Sequence, residues 1–357
     1  MARSFVSLAL LCVVTSGCRE LLERPDAGKP MSFEVTLRSG VTGTAAQPLP
    51  FEGPKALRLD VAALGHDGQP LRWSGNVHLD VQPVGRLASG TPRWITVVDG
   101  RANDVEVALE VLHGKVHVWV EDLGDAEEFG SYATGLSSTV FVANPTIRNL
   151  QETQNHRTNP LEGDFVEIDV ESRDVLVTAV TNDGFYVTDK TDIAWGSVFV
   201  FTHSRPGRLQ ALDRIVQLSG TSEEFFGFTE LAFPSWKVEG VSEPIDPVPI
   251  VAEMLEDDLV MEQYESGLVE VRDVTVCPPG EDFRRFGQWR VLLDPAGNCD
   301  ARGGSIVVVS AFTVDWFDPS EHAGSTLLHV TGNLRFHAGP GWMIRPRDEN
   351  DLSLASG

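Results

Sequence analysis

Between Phe185 and Phe228 the chain carries Phe185, Tyr186, Phe199, Phe201, Phe225, Phe226 and Phe228. Rings displayed on a groove can stack on the bases of a single strand, provided that nearby cations hold the phosphates. The cations from Phe185 to residue 240 are Lys190, Arg205, Arg208, Arg214 and Lys237, and acids outnumber them. Core packing is therefore the first account of the rings, and a ligand face made by Phe185, Tyr186, Phe225, Phe226 and Phe228 is the alternative. Asp183, Asp189 and Asp192 offer the oxygen ligands calcium takes, but the alternating Asp/Asn loop closed by Glu is missing. His113 and His117 share one face of a strand, yet no third ligand accompanies them, so they read as polar side chains on a wet surface. Gly135-Leu136-Ser137 begins like a nucleophile elbow without its second glycine. Phosphate-cradling glycine loops, zinc helices and carboxylates paired for hydrolysis do not occur. The expectation is a non-catalytic chain with no catalytic residue, no metal site and no cofactor.

Cysteine chemistry narrows to one pair. Of four cysteines, Cys12 and Cys18 belong to the amino-terminal leader, leaving Cys277 and Cys299. Outside the cytoplasm two such thiols most often join as a disulfide, with a metal site or free thiols as alternatives; two thiols without histidines supply few soft ligands.

The elements that must position these residues are short strands. From Asp183 to Leu231, Val- and Phe-rich runs bounded by Gly, Asn or Asp follow one another, as in small coiled barrels. The order returns about a hundred residues later. Gly196-Ser197-Val198-Phe199-Val200 reappears as Gly304-Ser305-Ile306-Val307-Val308, and Leu218-Ser219-Gly220-Thr221 as Val330-Thr331-Gly332-Asn333. The turn at Phe226-Gly227-Phe228 has its counterpart in Gly339-Pro340-Gly341-Trp342. One fold appears twice.

The remainder fits an all-β protein, with 42% hydrophobic residues, 33 Gly and 21 Pro. Residues 31–144 alternate cleanly, for example Lys55 to Val61, Val77 to Val81 and Val116 to Val120, which predicts sheets with one packed and one wet face. A polar connector is expected at 145–163, a first five-stranded barrel at 164–240, a Pro-rich linker with a short helix at 241–259, and a second barrel at 260–352. The stiff linker would set the spacing of the barrels. With 52 acidic against 28 basic residues and a net charge of -24, the surface repels phosphate backbones, so non-specific nucleic-acid binding is disfavoured.

Three resemblances carry further expectations. Arg3, the apolar stretch Phe5 to Val14 and Thr15-Ser16-Gly17-Cys18 resemble a bacterial lipoprotein signal, residues 1–18, with Thr15 where leucine is usual; an ordinary secretory signal is the alternative. The resemblance implies lipidation of Cys18, a flexible tether over 19–30 and, with Arg19 after the cysteine, a Gram-negative outer-membrane location facing the periplasm or the surface. Asp67-Gly68-Gln69-Pro70, Trp73-Ser74-Gly75 and Trp119-Val120-Glu121-Asp122 resemble bacterial immunoglobulin-like β-sandwich domains. Asp183-Gly184-Phe185-Tyr186-Val187-Thr188-Asp189, Glu224 to Leu231, Tyr264-Glu265-Ser266-Gly267-Leu268-Val269 and Ile344-Arg345-Pro346-Arg347-Asp348 are similar to the OB-fold region of secreted bacterial extracellular nucleases. That match spans about 165–352, and the catalytic domain that follows in those enzymes has no counterpart here, so no active-site residue transfers. The expectation is an envelope protein held to the membrane through Cys18, whose barrels dock a protein or polysaccharide. The alternative is a nucleic-acid-binding accessory protein.

Overall fold

The structure, a computed structural model, describes residues 28–38, 42–122, 133–299, 304–310, 313–314 and 316–355. The expected leader, Cys18 and most of the expected tether lie outside the described residues. The chain divides into two compact units, Met1–Val142 and Ala143–Gly357.

Period-two alternation builds the first unit. Its strands are β1 (Ser32–Leu37), β2 (Lys55–Leu64), β3 (Gly75–Gln82), β4 (Arg86–Leu87), β5 (Trp94–Val97), β6 (Arg101–Glu110), β7 (Gly114–Glu121), β8 (Thr134–Leu136) and β9 (Val140–Val142). They form one sheet in the order β1-β2-β6-β4 and another in the order β5-β3-β7-β8, with β9 also on β7. Every second residue of β2, β3 and β7, such as Leu57, Leu59, Val77, Leu79, Val118 and Val120, enters a single core shared by both sheets.

The second unit opens with α1 (Ile147–Gln151), capped by Thr146, and seats Ile147 and Leu150 at zero exposure. The expected polar connector is thus a packed piece of the unit, because three apolar residues, the third being Leu161, find a core among polar neighbours. Next come β10 (Phe165–Ile168), β11 (Val175–Val180), β12 (Gly184–Asp189), β13 (Ser197–Phe201), β14 (Asp213–Glu224) and β15 (Thr229–Val241). The sheet runs β11-β12-β13-β15-β14 and closes from β14 onto β11, with β13 and β15 parallel and β10 added outside on β14. After β16 (Val248–Pro249) and α2 (Asp258–Glu262) follow β17 (Leu268–Val276), α3 (Glu281–Phe286), β18 (Gln288–Leu292), β19 (Ser305–Val309), β20 (Thr326–His337), β21 (Gly341–Arg345) and β22 (Leu352–Leu354). Here the ring runs β17-β18-β19-β21-β20 and closes from β20 onto β17, again with the third and fifth strands parallel.

Both barrels are therefore closed, five-stranded and OB-like, with first-second-third-fifth-fourth order. The repeated segments occupy equivalent places: Ser197 and Ser305 start third strands, Gly220 and Gly332 lie in fourth strands, and both turns join fourth to fifth. The linker is no free spacer, since Val248–Pro249 pairs with β17 and Ile250 is buried. The expected helix is split into a 3-10 turn over Ala252–Glu256 and α2. Direct bonds fasten barrel to barrel: Trp195 N–H donates to Gln263 O at 2.6 Å, Thr229 N–H to Glu265 Oε2 at 2.9 Å, and Asn333 Nδ2 to Thr178 Oγ1 at 3.0 Å.

The recurring glycine of the fourth strand has a steric cause. A Cβ on Gly332 would lie 2.3 Å from the carbonyl oxygen of Arg345, and one on Gly220 would lie 2.9 Å from that of Ala232. Gly332→Ala should destabilise the unit by about 3 kcal/mol, because backbone must move in a closed ring. Gly339→Ala, whose Cβ would meet only the His337 ring at 3.6 Å, should stay within about 0.5 kcal/mol. Urea midpoints of the two variants test this; equal midpoints would refute the steric account.

Candidate ligand groove on the second barrel

In a barrel of this order the surface of strands two and three lies between the loop joining strands one and two and the turn joining strands four and five. In the second barrel those parts are β18 and β19, residues 277–287, and residues 338–340. The first loop is shaped by α3, which has Glu281 and Asp282 in its first turn, Arg284 and Arg285 in its last, and a stop at Gly287 with φ 68°. Phe286, at the end of α3, is 56% exposed. The Cys277–Cys299 disulfide ties the start of this loop to the segment preceding β19. Along β18, Trp289 and Val291 point inward while Gln288 and Arg290 are left facing out. The result is a cavity of about 570 Å³ lined by Pro278, Pro279, Phe286, Gln288, Arg290, His337 and Pro340 among others.

Arg290 and Pro340 also line a smaller cleft of about 110 Å³, with Arg157, Phe336 and Trp342. Arg290 is steadied by Ser305 Oγ at 3.3 Å, and Trp342 Nε1 donates to Asp258 Oδ1 at 3.0 Å. Beside this cleft comes the β14–β15 turn of the first barrel, for a Cβ on Gly227 would meet the Phe336 ring at 2.8 Å. Phe225 N–H donates to Phe228 O, and Phe226 and Gly227 both have positive φ, 55° and 86°, so the turn is of type I′. Phenylalanine seldom takes that conformation. Here it holds a ring 70% exposed, edge-to-face with that of Phe225 at 4.8 Å. Arg157 and Arg290 with Asp258 and Asp282 line the two cavities, and α3 adds Arg284 and Arg285 beside Glu281, four arginines to three acids in a chain where acids predominate.

The equivalent face of the first barrel is closed. Across β12 and β13, Phe185 opposes Val200 and Val187 opposes Val198, and these four fill the barrel at zero exposure. The other parity opposes Tyr186 to Phe199 and Thr188 to Ser197, and these are buried as well, beneath the second barrel. The Arg335 guanidinium of β20 stands 4.4 Å from the Phe228 ring centre and 5.6 Å from that of Phe199, a cation–π contact made inside the protein. Of the alternative ligand face, then, Phe185 is core, Tyr186 is buried against Phe199, Phe228 lies beneath Arg335, and only Phe225 and Phe226 reach solvent.

Other expected residues also disperse. Asp189 and Asp192 both bind Arg173 Nη1, at 2.5 and 2.6 Å, while Asp183 accepts from Thr181 Oγ1 beyond the opposite end of β12. The three acids do not converge on a cation. His113 is buried ahead of β7 rather than on its wet face, and His117 Nδ1 lies 2.9 Å from Ser137 O. Among the described residues no group of three or more His, Cys, Asp or Glu is placed to hold a metal.

Where the barrels meet, carboxyls are buried. Glu262 and Glu265 are each 2% exposed, and Glu262 Oε2 and Glu265 Oε1 have no hydrogen-bond partner. Burial, with Glu224 and Asp258 nearby, pushes Glu262 up to about 9. Burial and Glu262 push Glu265 well above the usual carboxyl range. Glu230 is raised to about 7 by burial, with Arg335 opposing, and burial raises Glu224 also.

No protein-family model matches the chain, and no curated protein is similar to it in sequence.

Proposed function

We propose that the chain is a non-catalytic, lipid-anchored envelope protein that docks a macromolecule in the groove of its second barrel. One observation carries this reading: two barrels of equal topology differ in the face that OB-like folds offer to ligands, the first sealed by Arg335 and its neighbours, the second open between two loops. The exposed Phe286 and the pair Phe225–Phe226 supply aromatic anchors of the kind that dominate docking surfaces. Anchoring through Cys18 rests on the lipoprotein-like leader; no helix among the described residues is long and apolar enough to cross a membrane. The first unit serves as an immunoglobulin-like spacer, a reading supported by its strand order. Its β1-β2-β6-β4 and β3-β7-β8 sheets follow the ABED and CFG arrangement, with β5 added beside β3.

A second reading, binding of single-stranded nucleic acid, is favoured by the four arginines around Phe286 and the small cleft. The test uses the full chain without its leader and a Phe286→Ala/Arg290→Glu variant. The docking reading expects partners captured from outer membranes to fall by about tenfold or more in the variant; equal capture refutes it. Retention on immobilised single-stranded DNA at low salt, lost in the variant and in high salt, would establish the second reading instead. Turnover of nucleic acid with divalent metals would overturn the non-catalytic assignment.

A further inference from the structure

The outward face of the β5-β3-β7-β8 sheet in the first unit is not an ordinary wet surface. Register lays Trp94, His78, Glu121 and Thr134 in one row and Asp80, Trp119 and Leu136 in the next, with Gln82 and His117 opposed beyond them. Trp94 is 51% exposed and Leu136 50%. Around Trp119 the surface is hollowed into an open trough of about 480 Å³, floored by Asp80, Gln82, His117, Glu121 and Leu136. The two tryptophans stand two strands and one row apart, on the order of 12 Å between their Cα atoms from the spacing of a sheet. Wet sheet faces are usually covered with charged and small polar groups, and two indoles beside an exposed leucine need another account.

Charge narrows what would lie there. Glu121 Oε1 is 3.3 Å from His78 Nδ1, and Asp80 Oδ1 accepts the Val81 N–H at 2.8 Å. Both carboxylates are thereby held in place, and an anion would meet two acids. His117 Nδ1 faces a carbonyl and so donates to it, which in the neutral tautomer makes Nε2 an acceptor. The His78 ring packs edge-on to Trp94 at 5.2 Å and holds that indole in place. What remains for a ligand is two indole surfaces with carboxylate, amide and imidazole acceptors between them. Sugar rings match this chemistry: their C–H faces stack on indoles, and their equatorial hydroxyls donate to such acceptors.

The geometry points to a binding face for an extended, neutral, β-linked glycan strand on this sheet, laid across Trp94 and Trp119. The site is independent of the groove on the second barrel. The experiment titrates the full chain without its leader with cellohexaose, xylohexaose and N-acetylchitohexaose, read by tryptophan fluorescence and calorimetry. At least one should bind, and Trp94→Ala and Trp119→Ala should each weaken it by about tenfold or more. Trp119→Phe should restore most of the affinity, which separates a stacking role from a folding defect, and thermal melts should place both variants near the parent. The proposal fails if none of the three binds at millimolar concentration. It fails also if binding survives both alanine variants, or if an oligolysine peptide binds this face more tightly than every glycan.

Discussion

Raising the pH from about 5 to about 9 should cost the double-barrel unit several kcal/mol of stability, and Glu262→Gln should remove a large part of that loss. In the unfolded chain Glu262 and Glu265 lose their protons near the ordinary glutamate value. In the folded unit burial and mutual repulsion keep both protonated to higher pH, Glu262 up to about 9. Over that window the folded state binds more protons than the unfolded, so stability falls as pH rises. It is greatest below the unfolded value and stops falling above the folded one. The slope is about 1.4 kcal/mol per pH unit for each group held protonated. The charges facing the pair are Glu224 from β14, Asp258 from α2 and Arg335 from β20, so a single cation opposes several acids. Glutamine reproduces the protonated carboxyl without titrating. Urea unfolding at both ends of the window is the measurement, and the variant should be the more stable protein at the alkaline end. Parallel pH profiles for parent and variant would show that Glu262 is ionised in the folded protein.

The barrels were legible because their demands on sequence are local. A strongly coiled fourth strand admits no side chain where the fifth strand's carbonyl approaches, and that need writes glycine at 220 and again at 332. Third strands recur as Ser-Val-Phe-Val and Ser-Ile-Val-Val because both line small interiors. What alternation could not show was the fate of the second parity. All six residues of β12 are buried, and a two-residue period assigns one side to the core without saying whether water or another barrel covers the other. The cover here is β20, more than a hundred residues away: its Arg335 lies over Phe199 and Phe228, and Tyr186 packs on Phe199, so Tyr186 and Phe228 of the alternative ligand face are interior.

The groove was missed for a different reason. Gly280-Glu281-Asp282-Phe283-Arg284-Arg285-Phe286-Gly287 carries a complete short-helix signature, with acids first, arginines last and a glycine stop. Its length lies below what periodicity can register. Laying the repeat over it would have placed Gln288–Leu292 as a second strand and this segment as the loop above it. Residues 145–163 hid their packing similarly, since Ile147, Leu150 and Leu161 are sparse among polar neighbours.

Removing the disulfide, as Cys277→Ala/Cys299→Ala, should cost about 3 kcal/mol, the entropy released when an unfolded loop of this size is no longer closed. The cysteines are 22 residues apart, and the segment they close contains α3 and all of β18. Cys277 N–H donates to Arg290 O at 2.9 Å, so ladder contacts hold β18 at that end, while at the other end Cys299, outside any strand, accepts from Ser305 Oγ at its carbonyl oxygen. The double variant should therefore keep its barrel and lose definition in the groove wall. Two readouts separate these effects. Urea unfolding should show the lower midpoint, with a slope no smaller than the parent's because the unfolded chain is freer. The parent treated with reductant should approach the variant, while the variant itself should not respond. Partner capture by the groove should weaken at urea concentrations where the variant is still fully folded. A midpoint change equivalent to less than about 1 kcal/mol, together with unchanged capture, would mean that α3 and the ladder hold the wall without the cross-link.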